Sequence, residues 1–460
     1  IPSGLLNGAY NEGKELDLYA DFPAEFIVKR DADGNWCEYN SGTDDYDSLI
    51  TGLNNSVYCM AEGPDGKIYA GGRFTDAGGD TDANYLARWN PVSEAWEAVV
   101  SGITHSSLTP SVNAMVFDAN GDLYVGGTFD NLGDGSGDYI VKITDLSGTP
   151  TVNALGTGLN SYPNTLIITP DGDVYVGGNF SLAGGVANTA KIAKWDGTSW
   201  TALDSGLNED VYCLALSPNG EDLYIGGAFT NADGTYGDYL CYWDGSAFNR
   251  VGTTELTDWS GGFNPGVNAL AFDYGGRLYA GSNLLNAGGN TSADYIGRWV
   301  GTSWEALETG TNGAVGEIVV TPGSPLKFND SKVYVAGSFT TAGSLTLTDR
   351  IAIWNNGSWQ SLDIDLPGTG RVYSVLPASD GSLYIGGSFS TAAEDPDENA
   401  KTGIVALNLN VSSASANTYP FMQVAGPGTL KAITNYSTGK SIMFDGLTLN
   451  AGEWINLHFD

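Results

Sequence analysis

Basic residues are scarce in this chain: 19 lysines and arginines stand against 54 aspartates and glutamates, a formal charge of -35. Such a surface repels phosphate backbones and anionic headgroups, so nucleic acid is not an expected partner. Histidine is scarcer still. His105 and His458 lie in separate segments, which leaves no His-based metal triad and no Ser-His-Asp set to assemble in the main body. The four cysteines, Cys37, Cys59, Cys213 and Cys241, are too few for a disulfide scaffold and fall in expected strands, where they read as unpaired core thiols. No run of 18 apolar residues exists, so membrane insertion is not expected, and Ile1-Pro2-Ser3-Gly4 carries neither the basic nor the apolar region of a signal peptide.

Glycine, by contrast, is abundant, at 64 of 460 residues with no collagen-like period, and such glycines serve tight turns in a strand-rich fold. A short strand ending in a glycine pair recurs as Ile68-Tyr69-Ala70-Gly71-Gly72, Leu123-Tyr124-Val125-Gly126-Gly127, Val174-Tyr175-Val176-Gly177-Gly178 and Leu223-Tyr224-Ile225-Gly226-Gly227, with further copies at Tyr279, Tyr334 and Tyr384. The tyrosines are spaced by 49 to 55 residues, the size of one propeller blade. Each is preceded by an apolar strand and a turn such as Pro64-Asp65-Gly66 or Pro170-Asp171-Gly172, and followed by a polar loop and two strands joined by a tight turn such as Asp196-Gly197. Four strands per unit follow. The pairs Trp89/Trp96, Trp195/Trp200, Trp299/Trp304 and Trp354/Trp359 fall on the outer two strands, where large rings would fill the widening gap between neighbouring sheets.

The run from Ile68-Tyr69-Ala70-Gly71-Gly72 through Arg88-Trp89-Asn90-Pro91 to Trp96-Glu97-Ala98 resembles the kelch repeat, a resemblance that covers residues from about 16 to 408 and implies a closed ring that binds or scaffolds. The expected fold is all-β: a seven-bladed β-propeller over residues 1–410, with first strands near Val57, Val112, Asn164, Val211, Val267, Val315 and Val372. Phe26 to Arg30 and Asn35 to Glu38 read as third and fourth strands that close the last blade, supplied by Gly403 to Leu407 and its neighbours. Leu18-Tyr19-Ala20 resembles a decayed second strand, which leaves eight blades as an alternative.

Residues 411–416 read as a linker, and 417–460 as a small β-sandwich with strands at Phe421 to Ala425, Leu430 to Thr434, Ser441 to Phe444 and Trp454 to Phe459. The runs Asn417-Thr418-Tyr419-Pro420, Gly426-Pro427-Gly428, Asn435 to Lys440 and Leu447 to Glu453 resemble the C-terminal sandwich of distal-tail and related tail proteins of long-tailed bacteriophages. That resemblance implies a virion tail component, with other tail subunits as partners and the sandwich as the docking unit of a homo-oligomer. The N-terminal ring domain of such tail proteins is missing from these residues.

Signals for chemistry are few. Asp196-Gly197-Thr198-Ser199-Trp200 resembles the Asp-box turn of sialidases but is one residue short and recurs as a structural turn. Asp138, Asp238 and Asp294, each before a tyrosine in an acidic loop, are candidate ligands for structural calcium, with backbone-capping turns as the other reading. The enlarged connection between Val251 and Val267 carries Trp259 and Phe263 outside the repeat, aromatics suited to a sugar ring or a protein partner or simply to packing the loop. These features point to a non-enzymatic protein of a virion tail, its propeller binding a host-surface glycan or protein. A secreted bacterial surface protein with a binding propeller is the alternative, and a propeller glycosidase the third.

Overall fold

In the computed structural model, the described residues are 53–388 except for 91–92, 94, 133–137, 231, 233–236, 253–265, 284–286, 288–289, 291, 322–330, 347–349, 356, 363–369 and 380–381. Outside that range only the backbones of several strands are described.

The fold is a β-propeller of four-stranded blades, six of which are complete. The first blade consists of Val57–Glu62, Ile68–Gly72, Leu86–Asn90 and Ala95–Ala98, paired antiparallel in that order from the inside outward. The same order repeats from the inner strands Ser111–Phe117, Pro163–Ile168, Val211–Leu216, Val267–Phe272 and Val315–Val320. A three-stranded sheet of Val372–Pro377, Ser382–Thr391 and Lys401–Asn408 follows. Hairpin turns form where the sequence writes them, with Gly66, Gly172 and Gly220 N–H groups bonding back to Gly63, Thr169 and Ser217 at 2.9, 2.9 and 2.7 Å.

The sheets form a ring. Each inner strand touches the next, and Val372–Pro377 touches both Val315–Val320 and Val57–Glu62. The buried apolar side chains divide into seven clusters, each between two successive sheets, and one of them joins Tyr384 of the last sheet to Val57, Ile68 and Trp89 of the first blade. The rings of Tyr58 and Tyr373 meet edge to face at 5.3 Å across the same seam, and the Ser379 N–H donates to Glu62 at 2.7 Å.

The glycine pair has a separate cause at each member. Every inner strand carries a β-bulge at one place, from Val57/Cys59 in the first blade to Val372/Ser374 in the last sheet. The bulge presses backbone onto the second glycine: a Cβ on Gly72 would overlap the Ser56 carbonyl oxygen, as one on Gly227 would overlap that of Asp210. The first glycine faces the next blade instead. A Cβ on Gly71, Gly126 or Gly226 would lie 2.5–2.7 Å from a side-chain carbon of Val112, Pro163 or Val267, and on Gly386 it would lie 2.8 Å from Val57. That last contact repeats the blade-to-blade spacing across the closing seam.

The tryptophan pairs are cross-strand neighbours with ring centroids 5.1–5.7 Å apart, and Trp243 with Phe248 takes the same place at 5.0 Å. Trp200 and Trp359 donate their indole N–H to the Leu155 and Leu307 carbonyls of the connections from the preceding blades, at 2.8 and 3.0 Å. Inter-blade packing is therefore their role.

Lys29–Arg30 and Trp36–Cys37 pair with each other as a two-stranded sheet. Beyond the ring, Phe421–Ala425 pairs with Trp454–His458, and Gly428–Asn435 with Lys440–Leu449, as two separate two-stranded sheets.

Candidate functional site

The inner strands carry a belt of inter-blade hydrogen bonds that their bulges make possible. Asn113, Asn164 and Asn268 donate their side-chain amides to the carbonyls of Pro163, Val211 and Val315 in the next blade, at 3.1, 2.9 and 3.3 Å. The Cys213 thiol does the same to Val267 at 3.5 Å, and Cys59 points at Val112. Cys59 and Cys213 are free thiols, and burial pushes both well up from the ordinary thiol value; Cys241 is fully buried. Cys37 lies outside the described side chains. At the same repeat position the sixth blade carries Glu317. The surrounding protein pushes its carboxyl up to about 8, and its charge bears on both Cys59 and Cys213, so three blades converge on the central channel there.

On the loop face, where the connections between blades and those between second and third strands emerge, a lock repeats. Asn54, Asn160, Asn208 and Asn312 each accept a backbone N–H from Thr75, Ser181, Thr230 or Thr340 at 2.7–3.0 Å and return an amide bond to the same residue's hydroxyl at 2.8–3.0 Å. The lock seals each connection onto the next loop.

Between the first and second blades it is replaced. The connection 99–110 is longer than 155–162, 203–210 and 307–314, and it adds a strand, Ile103–Thr104, that pairs with Asn131–Leu132. Here the Ser106 N–H donates to Asp130 at 2.6 Å. The His105 Nδ1 accepts the N–H groups of Ser107 and Leu108, both at 3.0 Å, which assigns the ring proton to Nε2 and makes it the donor to the Tyr139 hydroxyl at 3.1 Å. Hydrogen bonds from the Ser106 hydroxyl and N–H, with His105 nearby, hold Asp130 below the usual carboxylate range. Burial, then the charges of Asp130 and Asp138, push the Tyr139 phenol up, so it stays a hydroxyl and a donor.

These groups open a cleft of about 440 Å³ lined also by Thr157, Gly158, Asn160 and Leu182. Leu182 is 37% exposed at its edge, and Leu108, on the same long connection, is 52% exposed. The cleft thus presents a phenol, two carboxylates and an aliphatic wall.

Of the residues singled out from sequence, Asp138 lines this cleft. Asp238 and Asp294 occupy the equivalent turns of the fourth and fifth blades, so no two of the three share a blade. In those turns the residue after the aspartate is left-handed, at φ 65° for Tyr139, 66° for Tyr239 and 61° for Tyr295. The Asp138 and Asp294 carbonyls accept the N–H groups of Leu159 and Thr311 at 3.0 and 3.1 Å. Among the described residues, no three His, Cys, Asp or Glu side chains come together as a metal cage. Trp259 and Phe263 lie outside the described residues. Asp196 holds a capping turn, accepting the N–H groups of Thr198 and Ser199 at 2.8 and 2.7 Å.

A family described as a domain of unknown function (DUF5122) β-propeller matches residues 63–93, within the first blade. It is a propeller. The polarized growth protein L1 of Phoma sp. is 24% identical over 464 residues, covering 88% of this chain, which itself spans 34% of that protein's length. Among solved structures, the WD40 β-propeller domain of Doa1 is similar at 17% identity, covering 75% of this chain and 95% of that one with a TM-score of 0.44. YCF48 bound to D1 peptide is similar at 15% identity, covering 78% and 95%, with a TM-score of 0.47.

Proposed function

We propose that this propeller is a non-enzymatic binding module that takes a polyhydroxylated ligand, a glycan, in the loop-face cleft between its second and third blades. The observation that carries the reading is the departure from the repeat at His105 and Asp130, since a ring that needed only to close would keep the Asn lock there. The chemistry supports a sugar: carboxylates accept from vicinal hydroxyls, a phenol donates, and the aliphatic edge of Leu182 suits a pyranose face. A non-catalytic role is favoured because both nitrogens of His105 are engaged in hydrogen bonds and Asp130, held low, has no proton to give at neutral pH.

Seven blades, the last completed from the N-terminal segment, and a kelch-like ancestry are finer parts of the same proposal. So is attachment to a virion tail as a homo-oligomer, which rests on the resemblance of residues 417–460. A secreted surface protein, or one serving polarized growth as the Phoma relative's name says of that protein, would use the same cleft. Electron microscopy of the purified particle separates a tail assembly from a free protein.

The test of the cleft is a glycan array. The wild type should retain a neutral glycan that a Tyr139→Phe, Asp138→Asn double variant binds about tenfold or more weakly. Loss of that binding through Trp259→Ala instead would move the site to the connection 251–266, and hydrolysis of the retained glycan would end the non-enzymatic reading.

A further inference from the structure

The channel mouth on the loop face holds a cation that the rest of this chain would lead one to find neutralised. Lys67, Arg88, Lys142, Lys191, Lys194, Arg277 and Arg298 each pair with a carboxylate at 2.6–2.9 Å, as a threefold excess of acids would dictate. Arg371, immediately before the inner strand of the last sheet, pairs with no carboxylate among the described residues, and unlike Arg73 and Lys332, for which no ion pair is seen either, it is not exposed. Its backbone N–H donates to the Ser388 hydroxyl at 3.0 Å. The guanidinium lies over the ring of Tyr373 at 5.6 Å, and its Nε is buried with no hydrogen-bond partner.

The space it occupies is specific to this seam. At the second position of the inner strands the blades carry Tyr58, Asn113, Asn164, Tyr212, Asn268 and Tyr373, but the sixth carries Gly316, and a Cβ there would overlap the Arg371 Nη2. The missing side chain admits the guanidinium. Glu317, one residue on, does not neutralise it: burial is the whole cause of the shift at Glu317. Tyr58 packs on Tyr373 and lies within the field of the exposed Arg73, so a second guanidinium and two phenols border the same mouth.

We propose that the mouth of the channel, at the seam of the sixth, seventh and first sheets, is a binding site for a single carboxylate, with the Arg371 guanidinium as its principal partner and the Tyr58 and Tyr373 hydroxyls beside it. A stacked cation recovers part of its lost hydration from the ring, yet a guanidinium with no counter-charge beside it remains costly, and a carboxylate is the anion that the planar head of arginine fits with two parallel bonds from its terminal nitrogens. Burial also pushes Arg371 below the ordinary guanidinium range, the sign of a charge lacking its counterion. The ligand is otherwise neutral, because a polyanion would meet the field of a chain carrying -35. The site is independent of the cleft at His105.

The test is a calorimetric titration at fixed ionic strength with sodium glucuronate, and with a short neutral peptide in its free-carboxylate and C-terminally amidated forms. Saturable binding of glucuronate or of the free peptide, absent for the amide, is expected; which of the two binds separates a sugar acid from a chain terminus. Arg371→Gln should weaken it by about tenfold or more, and Gly316→Ala, which displaces the guanidinium without removing it, should weaken it as well. Lys332→Gln, an exposed lysine elsewhere on the ring, should leave it unchanged. Absence of saturable binding to the wild type, or binding kept within twofold by folded Gly316→Ala, would overturn the proposal.

Discussion

A carboxyl enclosed by protein costs free energy only when it is ionised, and Glu317 is such a carboxyl. Its folded-state value is pushed up to about 8, from 4.5 in an unfolded chain. Below pH 4.5 both states hold the proton and nothing is lost. As the pH rises from there to about 8 the unfolded chain releases its proton first, so the fold loses stability across that window and regains none above it. Glu317→Gln should therefore melt at the wild-type temperature near pH 4 and above it at pH 9. The gain at high pH is about 1–3 kcal/mol, less than the full linkage value because Glu317 keeps part of its surface exposed. Thermal melts of the two proteins across that range check it, and parallel pH profiles would refute it. His105 is the contrasting case. As one of only two histidines it was visible in the sequence, but its role was not, since its partners come from its own following N–H groups and from Tyr139 in the turn before the third strand of the second blade.

At the scale of one blade, the repeat was legible because the same local constraint is written repeatedly. The four-strand unit, its hairpin turns and the packing tryptophans all follow from periodicity and turn chemistry. The bulge was not legible, since a register shift leaves no fixed residue type: the bulged position holds Tyr58, Asn113, Asn164, Tyr212, Asn268, Gly316 or Tyr373. Its mark is the glycine on the neighbouring strand in every sheet but the fifth, where the fully buried Ser282 takes that place. The two glycines should consequently differ in tolerance. Gly72→Ala drives a Cβ into the Ser56 carbonyl, which is fixed backbone, whereas Gly71→Ala meets the ends of the Val112, Cys59 and Met115 side chains, which can turn. Ala336 already fills the first position in the sixth blade, fully buried. We expect Gly71→Ala to cost about 1–3 kcal/mol, as overpacking does, and Gly72→Ala to cost more, both read from urea unfolding. Equal costs would mean that the bulge does not set the pair.

Across the whole molecule, seven apolar seams hold the ring against its own charge. The apolar pattern repeats from blade to blade and so could be read along the chain, whereas the cleft at His105 and the mouth at Arg371 arise between blades at single departures from it, which no periodicity announces. The described ion pairs use cations locally, as in the contacts of Lys142 with Asp118 and Asp122, both at 2.9 Å, and with 54 acids to 19 cations most acidic residues have no cation to pair with. Their repulsion is present in the compact state and relaxed in the unfolded one, and it falls with the screening length. Raising sodium chloride from about 10 mM to about 150 mM should therefore raise the melting temperature, since the Debye length shrinks from roughly 30 Å to roughly 8 Å. Calcium gives the sharper comparison. If the loops of Asp138, Asp238 and Asp294 act only as turns, calcium chloride at matched ionic strength should exceed sodium chloride slightly, through stronger screening, and chelation should return the melt to the sodium curve without a step. A saturating rise at calcium concentrations too low to screen would instead show that one of these turns holds the ion, with the left-handed tyrosine beside it as part of a built site.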